Sequence, residues 1–307
     1  MKISLIIPCF NVQNFIVSCY RSCLEGGVDD FEIIFVDDFS EDQTAQEISK
    51  LCDIDSRVKI VKQSFNSGTF NARREGFLRS TGDFVLFLDP DDQLEVGALV
   101  KILEKKYDLL LFGVRYIPNK IWKRKIKISK KEDHLEIIKN IFFKSSIIPK
   151  GNPGKAYSRS LVEKIYGLIG SIEKRFVYAE DAVFFYAAIF LSKDIIIIED
   201  KLYLYYDNSL SITRSNSVEK CDMRLEQIAF AIEKIREIKF NRVNEFMILC
   251  RESFIKSLIY DYINICCSKA LIQKDFESFK FYSYEKMKHK FFWRDLIKFV
   301  YARVYFY

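Results

Sequence analysis

The chain has 307 residues, length for about two domains, with 49% hydrophobic and 29% charged residues, the balance of a globular rather than a disordered protein. Gly 11 and Pro 5 exclude collagen-like and low-complexity classes, and two His argue against a His-built metal site or a His-centred triad. The net charge of +6 is unevenly spread: residues 1–119 hold 13 Lys+Arg and 19 Asp+Glu, residues 120–131 hold seven basic residues and no acid, and residues 217–307 hold 17 basic and 12 acidic residues.

Residues 2–7 (KISLII) predict a buried strand ended by Pro8. The uncharged stretch 3–20 is interrupted by Pro8, Asn11, Gln13 and Asn14, which argues against a signal peptide or a membrane span there. A helix is expected over 12–24 and a second buried strand over 31–36 (FEIIFV), stopped by Asp37 and Asp38. Ser40 and Gln43 form a capping-box pattern that places a helix from 41 to about 51. A strand at 58–61, a turn at 66–68, a helix at about 69–79 and a strand at 83–88 (DFVLFL) follow, the last running into Asp89-Pro90-Asp91-Asp92. A helix near 94–106 and a strand at 108–114 complete the series. Near-continuous apolar strands alternating with helices argue for a parallel α/β sheet covered on both faces.

Beyond the basic segment KIWKRKIKISKK (120–131), the pattern predicts a helix at 132–144, a turn at 151–154, an apolar helix at 180–192 led by two acids, and short strands at 195–198 and 202–206. From 217 onward only helical periodicity is visible. The eight cysteines contain no Cys-x-x-Cys pair and sit largely in apolar stretches, as expected for reduced, buried thiols in a cytosolic compartment.

Open α/β sheets bind ligands outside the carboxyl ends of their strands. Asp37, Asp38, Asp89, Asp91 and Asp92 are predicted at those ends. Solvated helix-capping acids, with Ser40 and Asp92 in that role, are one reading. A divalent-cation site on hard oxygen ligands, Mg²⁺ or Mn²⁺, is the other.

Four segments carry a resemblance. IIPCFNV (6–12), FEIIFVDDFSEDQT (31–44), NSGTFNARREG (66–76) and GDFVLFLDPDD (82–92) resemble, in order and spacing, the successive motifs of family-two glycosyltransferases of the GT-A, Rossmann-like nucleotide-diphospho-sugar fold. GKAYSRSLVEK (154–164), YAEDAVFF (178–185) and LYLYYDNSLSIT (202–213) resemble the subgroup that builds bacterial surface polysaccharides and lipooligosaccharides. The resemblance implies a GT-A-like catalytic domain over 1–215, with a nucleotide-binding half at 1–114 and an acceptor-side half at 115–215. A helical region at 216–307 would touch membrane or acceptor.

The resemblance also implies roles. Pro8 and Phe10 would line the base and ribose, Asp38 would accept from uracil N3–H, and Asp37 would support it. Asn66 and Gly68 would let backbone approach the nucleotide, and Arg73 would reach the diphosphate or Asp89. Asp91 would contact Mg²⁺ or Mn²⁺, with Asp89 toward ribose or a metal-bound water. Asp181 would be the catalytic base and Glu180 its support. The implied reaction is an inverting transfer of a hexose or N-acetylhexosamine from a UDP-sugar to a saccharide or lipid-linked saccharide. Asp207 departs from the pattern, which often has a basic residue there; Arg214 or Lys155 would take that task.

A sugar-nucleotide nucleotidyltransferase would want a Gly-rich basic loop after the first strand, and PCFNVQN has neither feature. An inactive glycan- or membrane-binding scaffold is the non-enzyme alternative. The basic, aromatic tail 291–307 reads as helical core or as a peripheral surface for anionic lipid at the inner face of the membrane. No nucleic-acid motif accompanies it.

Overall fold

The computed structural model describes residues 1–118, 134–143, 150–207, 217–240, 243–275 and 277–286. They fall into two compact units, one of Met1–Ile138 with Ile147–Asn208, the other of Lys139–Ser146 with Ser209–Tyr307. The expectations for 120–131 and 291–307 lie outside the described residues.

The first unit opens with β1 (Ile3–Cys9), buried at every position. The strand runs through Pro8 instead of ending there, with Pro8 in register with Val36. The chain continues through α1 (Ile16–Leu24), β2 (Phe31–Asp37), α2 (Thr44–Ile54), β3 (Val58–Lys62), α3 (Thr69–Arg79) and β4 (Phe84–Phe87). β1 pairs in parallel with β2 on one side and β4 on the other, and β2 pairs in parallel with β3. The chain therefore builds outward from β1 to β3, then crosses to β4. That reversal opens a crevice at the carboxyl ends of β1, β2 and β4.

The far half of the sheet is mixed, which corrects the all-parallel expectation. After β5 (Gln93–Leu94), α4 (Ala98–Leu103), β6 (Leu109–Ile117) and α5 (His134–Phe143) comes β7 (Lys155–Ser158), then α6 (Arg159–Ile169), α7 (Glu180–Leu191) and β8 (Ile195–Tyr206). The strand order is β3-β2-β1-β4-β7-β6-β8-β5. β7 sits antiparallel between β4 and β6. Its four residues follow a Gly-Asn-Pro-Gly turn and are too few to show a period. The two strands expected at 195–198 and 202–206 are one strand, β8; the register against β6 shifts around Gly113, which absorbs the exposed Glu199-Asp200 pair.

The capping box also fails, for a local reason. Ser40 Oγ accepts from the Asn11 N–H at 3.0 Å, so it serves the loop after β1. α2 starts at Thr44, whose N–H donates to Asp42 Oδ1 at 2.9 Å.

At the opposite end of the sheet, buried Glu32 of β2 draws three elements together. It accepts from Ser4 Oγ of β1 at 2.8 Å, from the Thr81 N–H at 2.6 Å just before β4, and from Lys59 Nζ of β3 at 2.8 Å. Burial alone would raise this carboxyl, but Lys59, Thr81 and Ser4 outweigh it and hold it down at about 2. A folded-state value depressed below the ordinary 4.5 adds stability that is complete above about pH 4.5 and is lost as pH falls toward 2. Glu32→Gln should therefore be less stable than the parent at pH 7, and the gap in melting temperature should close on acidification. A gap independent of pH would show that the Glu32 charge does not contribute.

In the second unit, α8 (Val218–Glu237) and α9 (Glu245–Ile272) are each N-capped by a side chain: Ser217 Oγ accepts from the Lys220 N–H and Asn244 Oδ1 from the Met247 N–H. Cys221, Ile228 and Ala231 of α8 and Cys250, Phe254 and Leu258 of α9 are buried. No described helix is long and apolar enough to cross a membrane. All eight cysteines are unpaired, and seven are buried.

Candidate active site

The crevice is lined first by strand ends. Pro8 is buried within β1, and Phe10, just past it, is 39% exposed. Asp37 ends β2 and is buried; its Oδ1 accepts from the Ser40 N–H at 3.2 Å. Asp38 is buried too and closes the turn before α3. It accepts from the Ser67 N–H at 2.8 Å, Ser67 Oγ at 3.1 Å and the Gly68 N–H at 2.8 Å. A carboxylate has about four acceptor positions, so Asp38 keeps about one for a further donor.

Gly68 has φ 90°, and a Cβ there would fall 2.6 Å from the Phe176 nitrogen. The backbone that approaches it this closely is the chain's own. Asn66 Oδ1 accepts from Arg175 Nε at 2.6 Å, so the 66–68 turn is held from both sides.

The acids after β4 have separate surroundings. Asp92 is 2% exposed and accepts from the Tyr203 hydroxyl and the Tyr206 N–H, each at 2.8 Å. It ties the loop to β8 and caps no helix, which corrects that reading. Burial, then the charges of Asp89 and Asp91, push its carboxyl up. Asp89 and Asp91 are half-buried.

Arg73 joins these acids to the second acidic pair. It lies on the buried face of α3 with Phe70 and Phe77 and is 6% exposed. Nη2 donates to Asp89 Oδ1 at 2.7 Å, and Nη1 to Glu180 Oε1 at 2.8 Å. Asn152, oriented with its side-chain oxygen toward the guanidinium, accepts from Nη1 at 2.6 Å. Burial disfavours the guanidinium charge, but Asp89, Glu180 and Asp181 more than restore it.

Glu180 and Asp181 begin α7, a helix with nine buried residues among twelve. Ala179, just before them, adopts φ 64°, a conformation costly for a residue with a Cβ that turns the chain sharply into the helix. Glu180 is 6% exposed. Burial and the Asp181 charge push its carboxyl up, with Arg73 opposing. Burial raises Asp181 as well, against the pull of Arg73 and Lys155. Phe70, Phe87, Tyr166 and Phe184 complete a small pocket in which Arg73, Asn152, Glu180 and Asp181 are the polar groups.

The fold thus brings together Arg73, Asp89, Glu180 and Asp181, although 107 residues separate Arg73 from Glu180. Asn152, Tyr203 and the Phe176 backbone were not singled out by sequence reasoning. Asn152 carried only a turn signal, Tyr203 lay in the LYLYYDNSLSIT segment without a role of its own, and the Phe176 backbone carried no pattern.

The sequence matches the family described as Glycosyl transferase family 2 over residues 4–166. That is more than half of the chain, and the chain belongs to this family. A GalNAc(5)-diNAcBac-PP-undecaprenol beta-1,3-glucosyltransferase of Campylobacter jejuni is 35% identical over 105 residues, 34% of this chain and 34% of that protein. The chain likewise spans less than two thirds of the next two curated relatives, 59% and 62%. Among solved structures, S. aureus TarS 1-349 in complex with UDP-GlcNAc superposes with a TM-score of 0.61 at 18% identity, covering 94% of this chain and 92% of that one. A mannosyltransferase of Pyrobaculum calidifontis in complex with GDP-Man and Mn²⁺ gives 0.55 at 13% identity, covering 96% and 85%. These likenesses establish the fold: a GT-A α/β domain with a helical C-terminal region.

Proposed function

We propose that this protein is an inverting, metal-dependent glycosyltransferase that moves a hexose or N-acetylhexosamine from a UDP-sugar to a saccharide or lipid-linked saccharide during surface-glycan synthesis. The observation that carries this reading is the Arg73 bridge: one guanidinium donates both to Asp89 of the Asp-x-Asp segment and to Glu180 of the Glu180-Asp181 pair. The undecaprenol-linked acceptor in the name of the Campylobacter relative and the UDP-GlcNAc in the TarS complex support the acceptor and donor classes.

Pro8 and Phe10 would face the base and ribose, and Asp38, through its remaining acceptor position, would take the N3–H of uracil. Asp37 holds the Ser40 N–H and so shapes that wall. Asn66 and Gly68 fix the turn that bounds it.

The acids after β4 suit a Mg²⁺ or Mn²⁺ ion. Asp92 is tied to Tyr203 and Tyr206, so Asp91 and Asp89 are the residues that would hold it. No group of three or more His, Cys, Asp or Glu gathers into a closed cage among the described residues. Two carboxylates and open positions fit an ion that completes its shell with waters and substrate phosphates. When bound, the ion would supply charge neutralisation for the diphosphate and for the departing nucleoside diphosphate.

Asp181 would accept the proton of the attacking acceptor hydroxyl, its raised carboxyl bringing it nearer to neutral pH. Glu180, paired with Arg73, would hold the start of α7 in place. The helical C-terminal region would contact the acceptor or an anionic membrane surface.

Calorimetry of UDP and GDP with and without Mn²⁺ tests the donor assignment. UDP should bind only with the metal, and Asp91→Ala should lose that binding. Metal-dependent binding of GDP without UDP would overturn the base assignment.

A further inference from the structure

Lys155, the first residue of β7, is 1% exposed. Lysines are almost never buried to this degree unless paired. Its ammonium donates to the Gly151 carbonyl and lies 4.5 Å from the centre of the Phe185 ring on α7. Gly151 in turn lies beside the proposed base: a Cβ added at that position would sit 3.0 Å from Asp181 Oδ2. The same turn presents Asn152 to Arg73. One ammonium thus anchors a turn that walls Asp181 on one side and touches the guanidinium on the other.

The charges around Asp181 come from four elements. Arg73 acts from α3 and Lys155 from β7, both favouring its ionised form. Asp89, from the loop after β4, and Glu180, beside it on α7, oppose that form. The Tyr157 hydroxyl, also on β7, is fully buried with no hydrogen-bond partner among the described residues, close enough to feel Arg73 and Asp181. Two cations face two anions, so removing either cation leaves Asp181 with a net negative surrounding.

We propose that Lys155 is a positioning residue for Asp181: it pins the Gly151 turn against that carboxylate and supplies one of the two cations that keep it ionised. The inference rests on the reading of Asp181 as the base. Burial pushes the Lys155 ammonium down to about 7, and Asp181 is the group that holds it up. The coupling is therefore reciprocal, and each partner reports on the other.

The test is a pair of NMR titrations on the full chain, without metal, of side-chain carboxyl carbons of aspartate and side-chain nitrogens of lysine. The Asp181 signal is identified by its loss in Asp181→Asn, and the Lys155 signal by its loss in Lys155→Gln. Lys155→Gln can still donate to the Gly151 carbonyl but carries no charge; it should move the Asp181 midpoint up, the direction expected when a neighbouring opposite charge is lost. Lys155→Met should do the same. In Asp181→Asn, which keeps the local shape, the Lys155 midpoint should fall. Should both Lys155 variants fail to fold, the Asp181→Asn titration alone decides, with the depressed lysine signal as the reporter. Unmoved midpoints in folded variants overturn the inference. Transfer assays separate it from the base assignment. Asp181→Asn with normal transfer sinks the base reading while the coupling can stand, whereas lost transfer with unmoved midpoints sinks only the role of Lys155.

Discussion

Asp181→Asn is expected to leave UDP affinity nearly unchanged and to reduce sugar transfer by about 10²–10⁴-fold, the usual contribution of a positioned base. The substitution is nearly isosteric. Asp181 Oδ1 accepts from the Ala182 N–H at 2.8 Å, and the asparagine oxygen can do the same, so the start of α7 should survive. Only the proton-accepting oxygen is lost. UDP affinity measured by calorimetry and transfer measured on one enzyme preparation separate binding from chemistry. Near-normal transfer would move the base elsewhere, with Glu180 next in position.

Arg73→Met should have the largest effect on stability. It keeps much of the apolar volume between Phe70 and Phe77 but strips Glu180 of its partner, with both Arg73 and Glu180 only 7% exposed at the side chain. Breaking a buried pair by removing one partner costs about 3–5 kcal/mol. The loss should depend on pH. The Glu180 carboxyl is already raised to about 7 by burial and Asp181, against the pull of Arg73. Without Arg73 it rises further. A carboxyl raised above its unfolded value binds more protons when folded, so its burden on stability grows as pH rises above about 4.5. The melting-temperature deficit should be large at pH 8 and smaller at pH 5. A deficit that is small at both would mean that the bridge between Asp89 and Glu180 contributes little.

The β1–β4 half of the sheet was legible because its strands are apolar runs, each stopped by a polar cluster. Residues 31–36 and 69–79 predicted β2 and α3 almost to the residue. The antiparallel strand β7 was not legible. Four residues carry no period, and its pairing with β4 and β6 is a tertiary fact. The capping box failed because a hydroxyl predicted to serve its own helix was claimed by Asn11, 29 residues away in sequence.

Within the site, the acids were visible as clusters, but their division of labour was not. Nothing in Asp89-Pro90-Asp91-Asp92 says that Asp92 pairs with Tyr203 while Asp89 pairs with Arg73. Arg73 did carry a signal. It stands three residues after Phe70 and four before Phe77, a charge on the apolar stripe of a helix, where a cation needs a partner. Lys155 carried less, because burial on a short central strand leaves no mark in local sequence.

The proposed reaction is cleavage of a UDP-sugar in a metal-dependent, inverting displacement. The most direct measurement is NMR of a panel of UDP-α-sugars and GDP-sugars incubated with the enzyme and Mn²⁺, or with chelator. UDP should be released from a UDP-α-sugar only in the presence of metal, with the first-formed sugar or glycoside in the β configuration. Equal turnover in excess chelator, an α product, or cleavage confined to GDP-sugars would contradict it.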